Sequence, residues 1–172
     1  MQMHPLEVKR ALEDMAVLVD TREQDTPRLR WRLQQMGCPH ERVKLDFGDY
    51  SARFGDVLDL RDKVAIERKM DLDELAQCYT SQRKRFTAEF ERARDSAAKV
   101  YLLIESASWE KAYAGDYHSK VSASAMVASM LAWLARYDCQ ILMCQPKQSG
   151  RLIRDILYRE GKERLEAMGD GQ

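Results

Sequence analysis

The stretch VAIERK, residues 64–69, constrains the fold of this chain more than any other. Val64, Ala65 and Ile66 form a short apolar run of the kind that becomes a buried β-strand. The run passes without a break into Glu67, Arg68 and Lys69. Alternate residues of a strand point to the same face. Glu67 and Lys69 are therefore expected to project together, with Arg68 facing the other way. Asp71 and Asp73 follow at once. Asp71 is placed to cap a helix, and an acid in a first helical turn, such as Asp73, is favoured by the helix dipole.

Around this segment the period of hydrophobicity changes repeatedly. AVLVD (16–20) reads as a strand ending in an acid. RLRWRLQQMG reads as a helix with Leu29, Leu33 and Met36 at helical spacing and Gly37 as its C-terminal cap. The segment from ERVKLDFGDY to VAIERK reads as several short strands joined by Gly-Asp turns. DLDELAQCYTSQRKRFTAEFERARDSAAK is expected to be helical, with Leu72, Leu75, Phe86, Phe90 and Ala93 as its apolar positions. VYLLIE (100–105) predicts a buried strand, KVSASAMVASMLAWLARY a long apolar helix, CQILMC a short strand, and SGRLIRDILYREGKERLEAM a closing amphipathic helix. Strands separated by helices predict an α/β fold built on a mixed central sheet flanked by helices. The 172 residues, 45% of them hydrophobic, suit one domain with a sizeable core. No repeat or Pro/Gly-rich linker divides them.

Charge excludes some functions. The 28 basic and 28 acidic residues cancel, so no global field draws the chain to nucleic acid or to an anionic membrane. Any nucleic-acid site must be local. Cys38, Cys78, Cys139 and Cys144 form no CxxC pair and no finger spacing, which argues against a zinc ribbon or a disulfide scaffold. No stretch approaches the roughly 20 apolar residues that span a bilayer, and the charged N-terminus is unlike a signal peptide. A soluble protein of a reducing cytoplasm, without a membrane partner, is expected.

Acids stand at the ends of three predicted strands: Asp20 and Glu23 in VDTRE, Asp49 in DFGDY, and Glu67. Each alone is what a solvated strand end carries. Converging on one sheet edge they would repel one another unless a counter-charge sat among them. Magnesium, a hard cation preferring oxygen ligands, meets that need. The ammonium of Lys69 beside it could orient or help deprotonate a water, or offset charge on a phosphorane-like transition state.

The ordered succession VDTRE, GDY, ERK with Asp73 four residues beyond Lys69, then RFTAEFER and YLLIE, resembles the nuclease domain of XPF-type structure-specific endonucleases. That domain is a variant of the restriction-endonuclease-like D...ExK fold. The resemblance covers roughly residues 16–105 in motif. It implies an acidic metal site of Asp20, Glu23, Asp49 and Glu67, not all of them direct ligands, with Lys69 as the catalytic lysine. It places Arg68 against phosphate or bracing the acids, and Asp73 holding Arg68, Lys69 or the following helix. Implied too are magnesium, with manganese as the alternative metal, and branched DNA cut at a flap, fork or junction during repair, recombination or replication. A homodimer is also implied. Relatives often append a tandem helix-hairpin-helix or a helicase domain, and nothing after Leu142 resembles either. A stand-alone nuclease domain of bacterial or phage type, at work in a bacterial cytoplasm, is expected. The competing readings are a non-catalytic DNA-binding or scaffolding subunit with the same fold, and a nuclease of the same chemistry with a sequence-specific, restriction-like choice of site.

The basic run SQRKRFTAEFERAR places Arg83, Lys84 and Arg85 where a helix could meet phosphates, and the family resemblance favours Arg85. Arg22, inside VDTRE, and Arg68 join this DNA-contacting set. Glu89 and Glu91 interleave with the basic residues and could pair with them, leaving a solvated face. Phe86, Phe90, Trp31, Trp133 and Tyr137 are expected in the core rather than as platforms for bases. His118, alone in a polar turn, is read as neither base nor ligand.

Overall fold

The computed structural model describes residues 3–170. The chain runs α1 (Pro5–Glu13), β1 (Met15–Asp20), α2 (Pro27–Met36), β2 (His40–Val43), β3 (Tyr50–Phe54), β4 (Leu58–Asp59) and β5 (Val64–Lys69). It continues α3 (Leu72–Tyr79), α4 (Arg83–Asp95), β6 (Lys99–Glu105), α5 (Trp109–Ala114), α6 (Ala123–Tyr137), β7 (Gln140–Cys144) and α7 (Pro146–Asp170). The strands make one mixed sheet in the order β2-β1-β3-β5-β6-β7, with β4 attached to β3. β1 and β2 are parallel, as are β5, β6 and β7, whereas β3 runs antiparallel to both of its central neighbours. That reversal matters for function. It brings the end of β1, the start of β3 and the end of β5 to one edge, with Val19 opposite Tyr50 and Tyr50 opposite Ile66.

Helices cover both faces, as nearly continuous burial along β1 and β5 requires. On one face α3, α4 and α6 pack Leu75, Tyr79, Phe86, Phe90, Met130 and Trp133 against Leu102 and Ile104. Phe86 stacks on Trp133 at 5.3 Å between ring centres. On the other face α1, α2 and α7 bring Val8, Leu29, Met36, Ile153 and Leu157 against Val17, Val19, Tyr50 and Leu103. The caps expected at Gly37 and Asp71 form, and Thr26 adds another. Thr26 accepts the Leu29 amide at 3.1 Å and Gly37 closes α2 with φ +61°. Asp71 accepts the Glu74 amide at 2.8 Å.

Three features depart from the expectations. The segment after Asp71 is two helices, because Thr80 turns out of helical geometry while its hydroxyl bonds the Ala76 carbonyl at 2.8 Å. The bend lets α3 and α4 each lay apolar residues on the same core. Helix α1, like the short α5, had no counterpart among the predicted elements. Val8 and Ala11 are its buried residues, too thin a stripe to read, and its start rests on a capping box between His4 and Glu7. Trp31 is 46% exposed on α2 rather than in the core. No helix among the described residues is long and apolar enough to cross a membrane.

Candidate active site

Gly48 sets the position of the first acid. Its φ of +75° is costly for a residue with a side chain, and a Cβ there would lie 2.6 Å from the Ala65 Cβ. This tight turn holds Asp49 between two strands: its amide donates to the Ile66 carbonyl at 2.8 Å and its carbonyl accepts the Asp20 amide at 2.9 Å. The Asp49 side chain accepts the Arg68 amide at 2.8 Å. A carboxylate is thereby tied to the strand that carries the other catalytic candidates.

On β5 the alternation holds. Lys69 Nζ lies 2.6 Å from Glu67 Oε1, and Arg68 turns to the opposite face, where it meets Glu105 at 3.1 Å. Glu67 is 4% exposed, and its Oε2 has no hydrogen-bond partner. Asp20 is buried at the end of β1 and accepts both the Leu45 amide at 3.0 Å and the Arg22 guanidinium. Glu23 stands 3.4 Å from the Tyr50 hydroxyl. Asp20, Arg22, Glu23, Asp49, Glu67, Arg68 and Lys69 all line one cavity of about 200 Å³.

Two features of the electrostatics follow from this crowding. Burial raises the carboxyls of Glu67, Glu23 and Glu89, and the Asp49 charge pushes each further up; Glu23 reaches about 7. Asp49 itself is raised by burial, against the pull of Lys69 and the Arg68 amide. Burial alone would lower Lys69, but the Glu67 and Asp49 carboxylates outweigh it and leave its pKa raised. Lys69 is therefore a held cation rather than a free base. Among the described residues no three His, Cys, Asp or Glu side chains already stand in a metal-holding arrangement. Lys69 and Arg22 instead neutralise Glu67 and Asp20. The donor chemistry nonetheless fits a hard divalent cation: buried, mutually repelling carboxylates, one with an unpartnered oxygen.

The structure sorts the remaining candidates. Arg85 lines the cavity, whereas Arg83 and Lys84 are exposed on the first turn of α4 outside its lining. Asp73 does not join the acids. It accepts the Ser119 amide at 2.6 Å and sits 3.2 Å from His118, so it braces the loop before α6 rather than Arg68 or Lys69. Sequence reasoning missed Glu89. It does not pair along α4 as expected but lines the cavity, accepts the Gly48 amide at 2.9 Å and faces Arg22 at 3.8 Å. Its spacing was the available signal, since positions 86, 89, 90 and 93 share the buried face of the helix. Glu74 and Cys78 from α3 also line the cavity.

The sequence profile of the ERCC4 domain matches residues 19–156, a span holding every acid of the cavity. The chain belongs to the ERCC4 domain family. This is a family of structure-specific DNA nuclease type. The ERCC4 fold here is similar to that of XPF from Aeropyrum pernix, with a TM-score of 0.62 and 19% identity over 84% of this chain. It is similar also to XPF from Aeropyrum pernix in complex with DNA, with a TM-score of 0.61 and 21% identity over 87% of this chain. The chain spans 61% and 66% of the length of those two. Comparison with curated protein sequences returns no match.

Proposed function

We propose that this ERCC4 domain is a magnesium-dependent DNA endonuclease that hydrolyses phosphodiester bonds beside flaps, forks or junctions, in repair, recombination or replication. One observation carries the reading: Glu67, with a buried unpartnered oxygen, shares a cavity with Asp49 and holds Lys69 Nζ at 2.6 Å. Asp49 and Glu67 would hold the cation, with Glu23 and Glu89 as the neighbouring carboxylates. Asp20, whose oxygens already accept Leu45 and Arg22, supports from behind. A bound magnesium or manganese supplies Lewis acidity to a phosphoryl oxygen and lowers the pKa of a water. Lys69 stays charged and offsets negative charge on the phosphorane-like transition state. Arg22 and Arg85 contact the phosphate backbone, with Arg83 and Lys84 extending the basic surface. Arg68, paired with Glu105, fixes the end of β5 through its amide on Asp49. We infer a homodimer as well, to be checked by light scattering.

The test is cleavage of end-labelled flap, fork, four-way junction and linear duplex DNA, with magnesium and with chelator. Wild type should cut near the branch only with metal. Asp49→Asn should cut nothing, and Lys69→Ala should lose roughly 10²–10³-fold in rate while remaining folded. Binding without cleavage of any DNA would refute the nuclease and leave the scaffolding subunit. Equal cutting of plain duplex would refute the preference for branches.

A further inference from the structure

A second cavity, of about 370 Å³, adjoins the active site across the end of β5. Trp31 and Arg28 of α2, Met70 and Glu105 are among the residues that line it. Two links join it to the acids. The Met70 amide donates to Glu74 of the first cavity at 2.5 Å, and Arg68 spans from Asp49 through its amide to Glu105 through its guanidinium. Trp31 is 46% exposed and Met70 39% exposed, and Arg28 donates to the Met70 sulfur at 2.7 Å. Deeper in, Arg32 and Glu105 are 4% and 3% exposed and stand 3.4 Å apart. The facing atoms are Arg32 Nε and Glu105 Oε1, so each charge is the other's partner.

A ligand here would meet the apolar Trp31, Met70 and Pro146 beside the donors of Arg28 and the acceptors of Asp71 and Ser106. The charges in the lining decide its class. Arg28 and Arg32 are balanced by Asp71 and Glu105, which disfavours a free phosphate. A flat, uncharged heterocycle with donor and acceptor edges fits an aromatic wall of this kind. We propose that the cavity takes one unpaired nucleobase of the DNA, stacked on Trp31, so that a single-stranded nucleotide beside the cut is part of what is recognised. The proposal rests on the nuclease reading for the identity of the polymer, and it names the branch feature that this site senses.

Binding in chelator tests it without strand cutting. Forked DNA is prepared with an abasic nucleotide moved one position at a time through the single strand. For wild type, one position should weaken binding by about 5- to 150-fold, the range that base–aromatic stacking is worth. Trp31→Ala should bind intact fork more weakly by a similar factor and ignore the abasic nucleotide, and Trp31→Phe should regain the preference. The proposal fails if no abasic position matters to wild type, or if Trp31→Ala still senses it. Cleavage in magnesium is read in parallel. A base preference without any cut would refute the nuclease alone, and cutting without a base preference would refute this cavity's role alone.

Discussion

Replacing Gly48 by alanine should both destabilise the protein and disarm it. The residue holds φ +75°, and a methyl there would stand 2.6 Å from the Ala65 Cβ and 3.3 Å from the Ile66 carbonyl oxygen. Left-handed backbone costs a residue with a Cβ about 1–2 kcal/mol. Forcing a methyl into a packed core costs about 1–3 kcal/mol more. Both neighbours lie on β5, buried in the centre of the sheet, so neither can retreat as a flexible side-chain tip could. A loss of about 2–5 kcal/mol corresponds to a melting temperature lower by roughly 4–20 °C at this chain length. Gly37→Ala is the control. That glycine has φ +61° with nothing within 4 Å of its added Cβ, so it should show the backbone cost alone, about 2–8 °C. Scanning calorimetry of both variants isolates the contact. Equal losses would refute the claim that Gly48 is fixed by close approach to β5. Because Gly48 donates to Glu89 and precedes Asp49, cleavage should fall in Gly48→Ala and not in Gly37→Ala.

Three further outcomes are expected. In chelator, stability should decline as pH rises from about 4.5 to about 7, because Glu23 binds its proton more tightly folded than unfolded and gives up that stabilisation as it ionises. Asp49, Glu67 and Glu89 are raised in the same direction, whereas the lowered Asp25, Glu41, Asp59, Asp73 and Glu160 act at more acid pH. Thermal melts that are flat or rising over this window would contradict the crowded cluster, and Glu23→Gln should shallow the slope. Arg85→Ala should weaken binding to every DNA tested and reduce the log–log salt slope by about 1, readable by titration at several salt concentrations. Asp73→Ala should lower the melting temperature by roughly 2–4 °C, for about 1 kcal/mol of hydrogen bonding to the loop before α6, while cleavage persists. Complete loss of cutting would restore Asp73 to the catalytic set.

What could be read from the chain was set by local geometry. A strand of period two places Glu67 and Lys69 on one face whatever surrounds it, and an N-cap such as Asp71 or a left-handed glycine such as Gly37 acts within a few residues. The order of apolar runs likewise implied helices on a mixed sheet, and strand-ending acids implied a shared edge. Tertiary structure decided which side chains reach that edge. Glu89 entered the cavity because α4 packs through Phe86 and Phe90, and Asp73 left it because its side chain found the Ser119 amide. Trp31 stayed exposed because Leu29 and Met36 turn the other side of α2 to the core. Each outcome depends on contacts between residues far apart in sequence, whose energies no local pattern encodes. The unusual protonation of the acids has the same origin, since it arises from burial and from one another's charge rather than from any residue alone.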